Sequence, residues 1–218
     1  MEFKYFVIIL SVVSILFLYF LSTLSQPIEI ELSEISNFEG KEVIVKGTVT
    51  NHRITTYGSQ IIEIKDILQD NTSEVIVFVE GETLVEYGDE IQATGKVQKY
   101  EDEWEVVVDD KRYVKILQKW NNITTPLWQL AENPSKYLDL NINTSGIIER
   151  DYESYFYLTD SEGQYSVVVY YDPSLFFNIS EGDKITVGAR FVYDSATLRY
   201  VLMTNQETNS LILLEKRI

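Results

Sequence analysis

The same succession of short apolar runs and turn residues occurs twice along this chain. In the first half, the runs lead to a Gly88-Asp89 turn, which opens a further apolar run that ends at Gly95. In the second half, Gly182-Asp183 opens a matching run that ends at Gly188. Because elements repeated in one order indicate duplicated structural units, we infer two copies of one small β domain.

The runs of β-branched and aromatic residues have the length and spacing of strands in an all-β domain. In the first copy the predicted strands cover residues 43–49, 60–66, 74–79, 90–97, and 104–108 with 113–117. In the second copy they cover residues 138–148, 155–160, 165–171, 184–188 and 198–204. A short helical or turn segment precedes each set, at residues 32–38 and 127–134, and its apolar residues are expected to cover one end of the domain.

Glycines inside the predicted strands indicate sharply bent strands. Gly47 and Gly146 fall in first strands, and Gly95 and Gly188 fall in fourth strands, where glycine is tolerated mainly at bulges and barrel bends. With the Gly-Asp turn before the fourth strand, this order resembles the oligonucleotide/oligosaccharide-binding (OB) fold of the tRNA-anti-like kind. The resemblance implies an all-β protein of two consecutive five-stranded Greek-key barrels.

An uncharged apolar segment precedes the first copy. It runs from Tyr5 to Leu24, and as a helix rising about 1.5 Å per residue it spans roughly 30 Å, the thickness of a hydrocarbon core. The sequence therefore predicts one transmembrane helix that anchors the chain. A cleaved signal peptide is the alternative, with Thr23 and Ser25 as small residues before the cut.

The charges around this segment predict its orientation. Lys4 precedes it and the next basic residue is Lys41, so the positive-inside rule places the N-terminus in the cytoplasm and the barrels outside. The predicted organisation is a cytoplasmic N-terminus and anchor over residues 1–26, a first barrel over 27–119, and a linker with the second barrel over 120–218. The cell membrane is then one partner of the chain, through residues 5–24.

Four N-x-Ser/Thr triplets are compatible with an exported domain. They are possible glycan acceptors only outside the cytoplasm, and chance occurrence in an Asn-, Ser- and Thr-rich chain is the alternative. The asparagines are Asn71, Asn122, Asn143 and Asn178. The composition also suggests an archaeal source.

The net charge and the lack of cysteine and of a second histidine exclude several kinds of site. The chain has 34 acidic against 18 basic residues, a net charge of −16, which opposes binding to a phosphate backbone. It contains no cysteine and a single histidine, so thiolate and multi-histidine metal sites are excluded. No phosphate loop, nucleophile elbow or catalytic carboxylate pair is recognisable. We therefore predict a protein that is not an enzyme and has no cofactor and no metal site.

The resemblance implies that a ligand lies across the outer face of strands two and three. Strand alternation points Ile61, Glu63 and Lys65 outward on the first barrel, which offers neither stacking rings nor a basic groove. On the second barrel Tyr155 and Tyr157 point outward, and the remaining candidates nearby are Tyr170 and Arg150. The alternative is that these tyrosines form ordinary cross-strand pairs.

A second candidate site is the segment between the first two strands of the first barrel. It carries His52, Arg53 and Tyr57, and a solvated loop without a function is the alternative.

Three functions follow from these features. The leading interpretation is a membrane-anchored, extracytoplasmic binding or assembly module with a protein or glycan partner in the envelope. The alternative is a single-stranded nucleic-acid-binding protein with a local basic groove, for which the candidates are Lys41, Lys46, Arg53, Lys96 and Lys99. A membrane-tethered carrier for a small molecule is a third class, but the ligand motif that it needs is not evident.

Overall fold

The computed structural model describes residues 2–24, 26–67, 73–172, 179–204 and 210–216, with side chains except at 2–4, 20–24 and 210. Helix α1 spans Glu2–Leu24. The first sheet contains β1 (Ile28–Glu29), β2 (Glu42–Ile54), β3 (Gln60–Lys65), β4 (Glu74–Val79), β5 (Glu90–Tyr100), β6 (Glu103–Val108) and β7 (Val114–Gln118). Helices α2 (Leu127–Glu132) and α3 (Pro134–Tyr137) precede the second sheet, which contains β8 (Asn141–Asp151), β9 (Tyr155–Thr159), β10 (Ser166–Tyr170), β11 (Lys184–Asp194), β12 (Arg199–Met203) and β13 (Ser210–Glu215). Short 3₁₀ helices lie at Leu32–Phe38, Lys111–Tyr113 and Trp120–Asn122.

Five strands of the first sheet close into a barrel. Strand β2 pairs antiparallel with β3 and with β5, β3 pairs with β4, β4 pairs in parallel with β6, and β6 returns to β5. Closure leaves these strands without free edges, which accounts for a barrel rather than an open sheet. The predicted β-barrel is confirmed, and its parallel third and fifth strands resemble those of the OB fold.

The second sheet repeats the pairings of the first. Strand β8 pairs with β9 and β11, β9 pairs with β10, β10 pairs in parallel with β12, and β12 pairs with β11. The last strand, β13, pairs with β11 as β7 pairs with β5. The predicted last strand ends at Thr204, and β13 was not predicted from the sequence.

The Gly-Asp turns are built in the same way in both sheets. Gly88 and Gly182 have φ values of +88° and +89°, a conformation that favours glycine. The Gly88 N–H donates to Val49 O at 2.8 Å, and the Gly182 N–H donates to Ile148 O at 2.7 Å. Each following aspartate is buried, and its carboxylate accepts from the backbone N–H three residues earlier. The turns therefore fix the start of each fourth strand to a residue inside the first strand, Val49 or Ile148.

Both first strands carry a bulge at the same position. The pairing of β2 with β3 shifts between Val49 and Asn51, and the pairing of β8 with β9 shifts between Ile148 and Arg150. A bulge resets the alternation of the strand by one residue. Because both bulges occupy one place, the outward positions of the two sheets correspond residue by residue.

Close contacts join the two sheets. A Cβ atom at Gly88 would lie 2.7 Å from the backbone oxygen of Asn141, so only glycine allows this approach. The Trp120 backbone N–H donates to Asp89 Oδ1 at 3.1 Å, and its indole Nε1–H donates to Glu86 Oε2 at 2.6 Å. Lys119 Nζ lies 2.9 Å from Asp89 Oδ2. These bonds attach the start of the predicted linker to the first barrel.

The predicted membrane anchor requires a correction. No helix in the described part of the chain is both long and apolar enough to cross a membrane. This finding contradicts the predicted transmembrane helix over residues 5–24 and the single-pass location with a cytoplasmic N-terminus and extracytoplasmic domains.

Candidate binding site

Strand β9 presents a row of tyrosines on the outside of the second sheet. Phe156 and Leu158 are fully buried, whereas Tyr155 and Tyr157 are half-buried, as expected when alternate residues face a core and the solvent. Tyr170 of β10 is the direct cross-strand partner of Tyr155 and lies on the same side. The structure therefore brings the three predicted tyrosines together.

Four rings form this surface, which we call the tyrosine face: Tyr152, Tyr155, Tyr157 and Tyr170. Tyr152 stacks on Tyr155 with ring centroids 4.6 Å apart and an interplanar angle of 16°. Tyr157 meets Tyr155 edge to face at 6.1 Å, and Tyr170 lies 5.8 Å from Tyr155. Both arrangements are favourable for aromatic quadrupoles, so the rings hold one another in place.

Tyr152 is held in position by the tight turn between β8 and β9. Its N–H donates to Tyr155 O at 2.9 Å, and its own carbonyl accepts from the Tyr171 hydroxyl at 3.1 Å. The Tyr171 N–H also donates to Ser154 O at 3.1 Å. A surface ordered before binding loses less conformational entropy when a ligand arrives.

The rings lie on an apolar support. Val168 pairs with Tyr157 and with Val201, which places both valines on the outer side of the sheet, yet they are only 4% and 0% exposed. Neither belongs to the buried core cluster of the second sheet. Neighbours on the outer face therefore cover them, and Met203 extends the apolar surface beside Tyr170.

Two arginines border the tyrosine face. Arg199, the first residue of β12, is hydrogen-bonded to Tyr157, and this bond holds the pKa of Arg199 above its usual range. Arg150 is exposed and lies opposite Tyr157 in the β8–β9 ladder. Burial, followed by the neighbouring tyrosines, raises the pKa of Tyr155, so this ring stays neutral at pH 7. The site combines four tyrosine rings with two arginine side chains, and Asp194 lies opposite Arg199 in the β11–β12 ladder.

The structure separates the other predicted site residues from this surface. His52 and Arg53 belong to strand β2 and not to a loop, because the pairing with β3 continues to Ile54. The His52 ring lies 4.8 Å from Tyr87, whose ring also packs 4.0 Å from the guanidinium of Arg190 in the second sheet. Tyr57 is 95% exposed in the following turn. These residues belong to the first sheet or to its junction with the second.

Sequence reasoning missed two residues of the site, Tyr152 and Arg199. Tyr152 lies just before the predicted second strand, and Arg199 lies at the start of the predicted fifth strand. Alternation along the fifth strand would have placed Arg199 on the same side as Val201 and Met203. The sequence therefore contained the alternation that orients these side chains. Their place beside the other tyrosines followed only from the bulge in β8 and the parallel pairing of β10 with β12.

The predicted glycan acceptors have different surroundings. Asn122 is exposed in a 3₁₀ helix. Asn143 is half-buried within β8, and its amide donates to Asn121 O at 3.1 Å. Asn71 and Asn178 lie outside the described residues. Glycosylation stays a prediction. Among the residues that the structure describes, no three His, Cys, Asp or Glu side chains are grouped as metal ligands.

Comparison with known proteins gives structural matches only. No family model matches the chain, and no curated protein matches it. The asparaginyl-tRNA synthetase of Pyrococcus horikoshii is 20% identical over 50% of this chain and 28% of its own, with a TM-score of 0.36. The single-stranded DNA binding protein of Thermus aquaticus is 16% identical over 83% and 96% of the two chains, with a TM-score of 0.28.

A third match is a murine DNA binding protein bound to double-stranded DNA, 15% identical over 81% of this chain and 98% of its own, with a TM-score of 0.34. This chain spans less than a third of the length of the synthetase that it matches. Matches from an archaeon, a bacterium and a mammal do not support the archaeal source. At these scores the likeness carries no argument about function, which must come from the site.

Proposed function

We propose that the chain is a non-enzymatic binding protein whose second OB-like barrel holds a short single-stranded nucleic acid on the tyrosine face. The observation that carries this proposal is the cluster of four tyrosine rings bordered by Arg150 and Arg199. Bases stack on aromatic side chains with about 1–3 kcal/mol each, whatever their sequence. We further propose that residues 120–218 form this barrel and its linker, and residues 27–119 the first barrel.

The arrangement assigns a separate role to each group. Tyr152 and Tyr155 form a stacked pair whose outer ring surface accepts a base, and Tyr170 extends the platform along β10. Arg199 is oriented by Tyr157 toward the edge of this platform, where it would bind a phosphate by charge-assisted hydrogen bonds. Arg150 offers a second phosphate contact on the other side of Tyr157.

The net charge of −16 limits the electrostatic contribution to nucleic-acid binding. Stacking must supply most of the affinity, because Arg150 and Arg199 are the two cations found at the tyrosine face among the described residues, and the net negative charge of the chain opposes phosphate binding. With two phosphate contacts, the logarithm of the affinity should fall with the logarithm of the salt concentration with a slope of about −1.4. A shallow slope therefore distinguishes this site from a basic groove with many contacts.

The test is fluorescence anisotropy of a labelled 12-nucleotide oligothymidine with the full chain at low and moderate salt. We expect micromolar binding at low salt, with a shallow salt slope, and a loss of about tenfold in Tyr155→Ala because one stacking ring is removed. Tyr193→Ala is the matched control, since Tyr193 is an exposed tyrosine of the same sheet outside the face. Absence of binding at low salt, or equal loss in both variants, would disprove the proposal.

A neutral oligosaccharide is the second candidate ligand. The acidic surface does not repel an uncharged sugar, and tyrosine rings stack on sugars as they do on bases. The same anisotropy experiment with a labelled neutral oligosaccharide separates the two ligands. Binding of the sugar alone, lost in Tyr155→Ala, would replace the nucleic-acid proposal with this one.

A further inference from the structure

We propose that the outer face of β3, β4 and β6 on the first barrel docks a basic segment of a partner protein that alternates cationic and apolar side chains. This surface, called the acidic groove below, is distinct from the tyrosine face. Its floor is apolar and its rim is acidic. The floor residues are Ile61, Ile76, Phe78 and Val107, and the rim residues are Glu101, Glu103 and Glu105. Arg53, opposite Ile61 in the β2–β3 ladder, also lines this cavity, so three carboxylates there outnumber one guanidinium.

The floor consists of outward-facing strand residues. Ile61, Ile76 and Phe78 are half-buried, while the residues between them on β3 and β4 face the core. Together with Val107 they line a cavity of about 570 Å³. A concave apolar surface of this kind, open to solvent and bordered by polar residues, is typical of an interaction site.

The groove continues into a second cavity. This cavity has a volume of about 560 Å³ and shares Ile76 and Glu103 with the first. It adds Glu63 and Glu74 to the acidic lining and Trp104 to the apolar lining. The two cavities therefore form one continuous surface on the outside of the barrel, with a combined lining that an extended peptide segment can follow.

The negative charge of the groove is only partly neutralised by the protein. Lys65 lies 3.2 Å from Glu74, and Lys99 lies 2.9 Å from Asp102. Glu105 is 9% exposed and accepts from the Gln98 amide rather than from a cation. Among the described residues, no lysine or arginine forms an ion pair with the three rim glutamates.

The chemistry of the groove identifies its occupant. Phosphate and acidic peptides are repelled by the rim, and a neutral ligand gains nothing from three carboxylates beside an apolar floor. A segment of alternating lysine and leucine residues matches both the acidic rim and the apolar floor. Its cations meet the rim carboxylates, while its apolar side chains cover Phe78 and the isoleucines. Charge complementarity of this kind also speeds the encounter of the two proteins.

The test uses the full chain and a fluorescein-labelled 12-residue peptide of alternating lysine and leucine, with an alternating glutamate and leucine peptide as the reference. We expect saturable binding of the basic peptide only. Glu103→Lys should weaken it about tenfold, because an exposed rim carboxylate becomes a repelling charge. Phe78→Ala should weaken it by a similar factor through the lost apolar contact, with circular dichroism confirming that both variants fold.

The matched control is Glu162→Lys, which makes the same charge change at an exposed site in the turn between β9 and β10. This variant should bind the peptide within about twofold of the parent, since its charge lies outside the groove. Equal weakening by Glu103→Lys and Glu162→Lys would mean that only net charge matters and would overturn the proposal. Sedimentation that shows self-association of the parent, abolished by Glu103→Lys, would assign the groove to a second copy of the chain and overturn it equally.

Discussion

The two sheets share their pairings, turns and bulges but present outer faces of opposite chemistry. At matched ladder positions, Glu63 corresponds to Tyr157, and Glu103 corresponds to Arg199. Phe78 corresponds to Tyr170, so an apolar ring is kept there. The comparison teaches that the inward residues determine the scaffold, while a few outward residues determine which charge the partner must carry.

Exchange of the outward residues tests this comparison most severely. The test combines three substitutions, Tyr155→Ile, Tyr157→Glu and Arg199→Glu. They place on the second face the residues that occupy the three matched positions of the first face. We expect oligonucleotide binding to weaken at least about 100-fold, because two rings worth about 1–3 kcal/mol each and one cation are lost. Anisotropy measures the loss, and circular dichroism verifies the fold. Affinity retained within threefold would show that the face is not the binding surface.

The first-strand glycines offer a sharper test of how alike the scaffolds are. A Cβ atom at Gly146 would lie 2.5 Å from Thr159 O, whereas at Gly47 the nearest atoms, Ile64 Cβ and Lys65 O, lie 3.1 Å away. We expect Gly146→Ala to lower the free energy of unfolding by about 3 kcal/mol and Gly47→Ala by about 1 kcal/mol. The added methyl group overlaps a backbone oxygen at position 146, whereas at position 47 it meets its neighbours at a tight but tolerable distance. Urea unfolding of both variants measures the difference. Equal losses would contradict the tighter approach in the second sheet.

The arginine border distinguishes stacking from charge in the second face. Arg199→Gln should weaken oligonucleotide binding about fivefold at low salt and reduce the magnitude of the salt slope by about 0.7, because one phosphate contact is removed. Arg112→Gln is the control, since Arg112 lies in the 3₁₀ helix between β6 and β7, away from the tyrosine face, in an ion pair with Asp110. An unchanged slope in Arg199→Gln would remove this residue from the site.

The smallest expected effect concerns the ionisation of Tyr155. Burial raises its pKa, so the neutral phenol is favoured in the folded protein, and the stabilisation that follows is present below about pH 10 and lost as pH rises past the folded pKa. Titration of tyrosine carbon signals by nuclear magnetic resonance should show a late-ionising ring that is missing in Tyr155→Phe. If the late step persists unchanged in that variant, the packing of the face is not as described.

Much of the strand content could be predicted because strands follow local patterns. Alternation over residues 155–158 predicted the outward tyrosines correctly, and the Gly-Asp turns predicted the repeat. Local alternation could give the side of β12 on which Arg199 lies, but its position beside the tyrosines depended on the parallel pairing of β10 with β12, which is a non-local contact. The length of β2 depended in the same way on its partner β3, so His52 and Arg53 were wrongly assigned to a loop.

Hydrophobicity alone was a poor guide at the two ends of the chain. The apolar run near the N-terminus predicted a membrane span that the described helix does not provide. The apolar run over residues 210–215 was left unassigned, although it forms β13 on the edge of β11. The repeat held the missing information, since the corresponding strand of the first sheet, β7, had been included in its fifth predicted strand.

The paired bulges have a consequence for engineering. Because the shift falls at Val49/Asn51 in one sheet and at Ile148/Arg150 in the other, each outward position on one barrel has a known counterpart on the other. A combinatorial library restricted to the outward positions that are exposed or half-buried, and so excluding Val168, Val201 and Glu105, would leave both cores and both turns unchanged. We therefore expect that substitution of outward residues alone can change the binding specificity of each barrel, without redesign of its core.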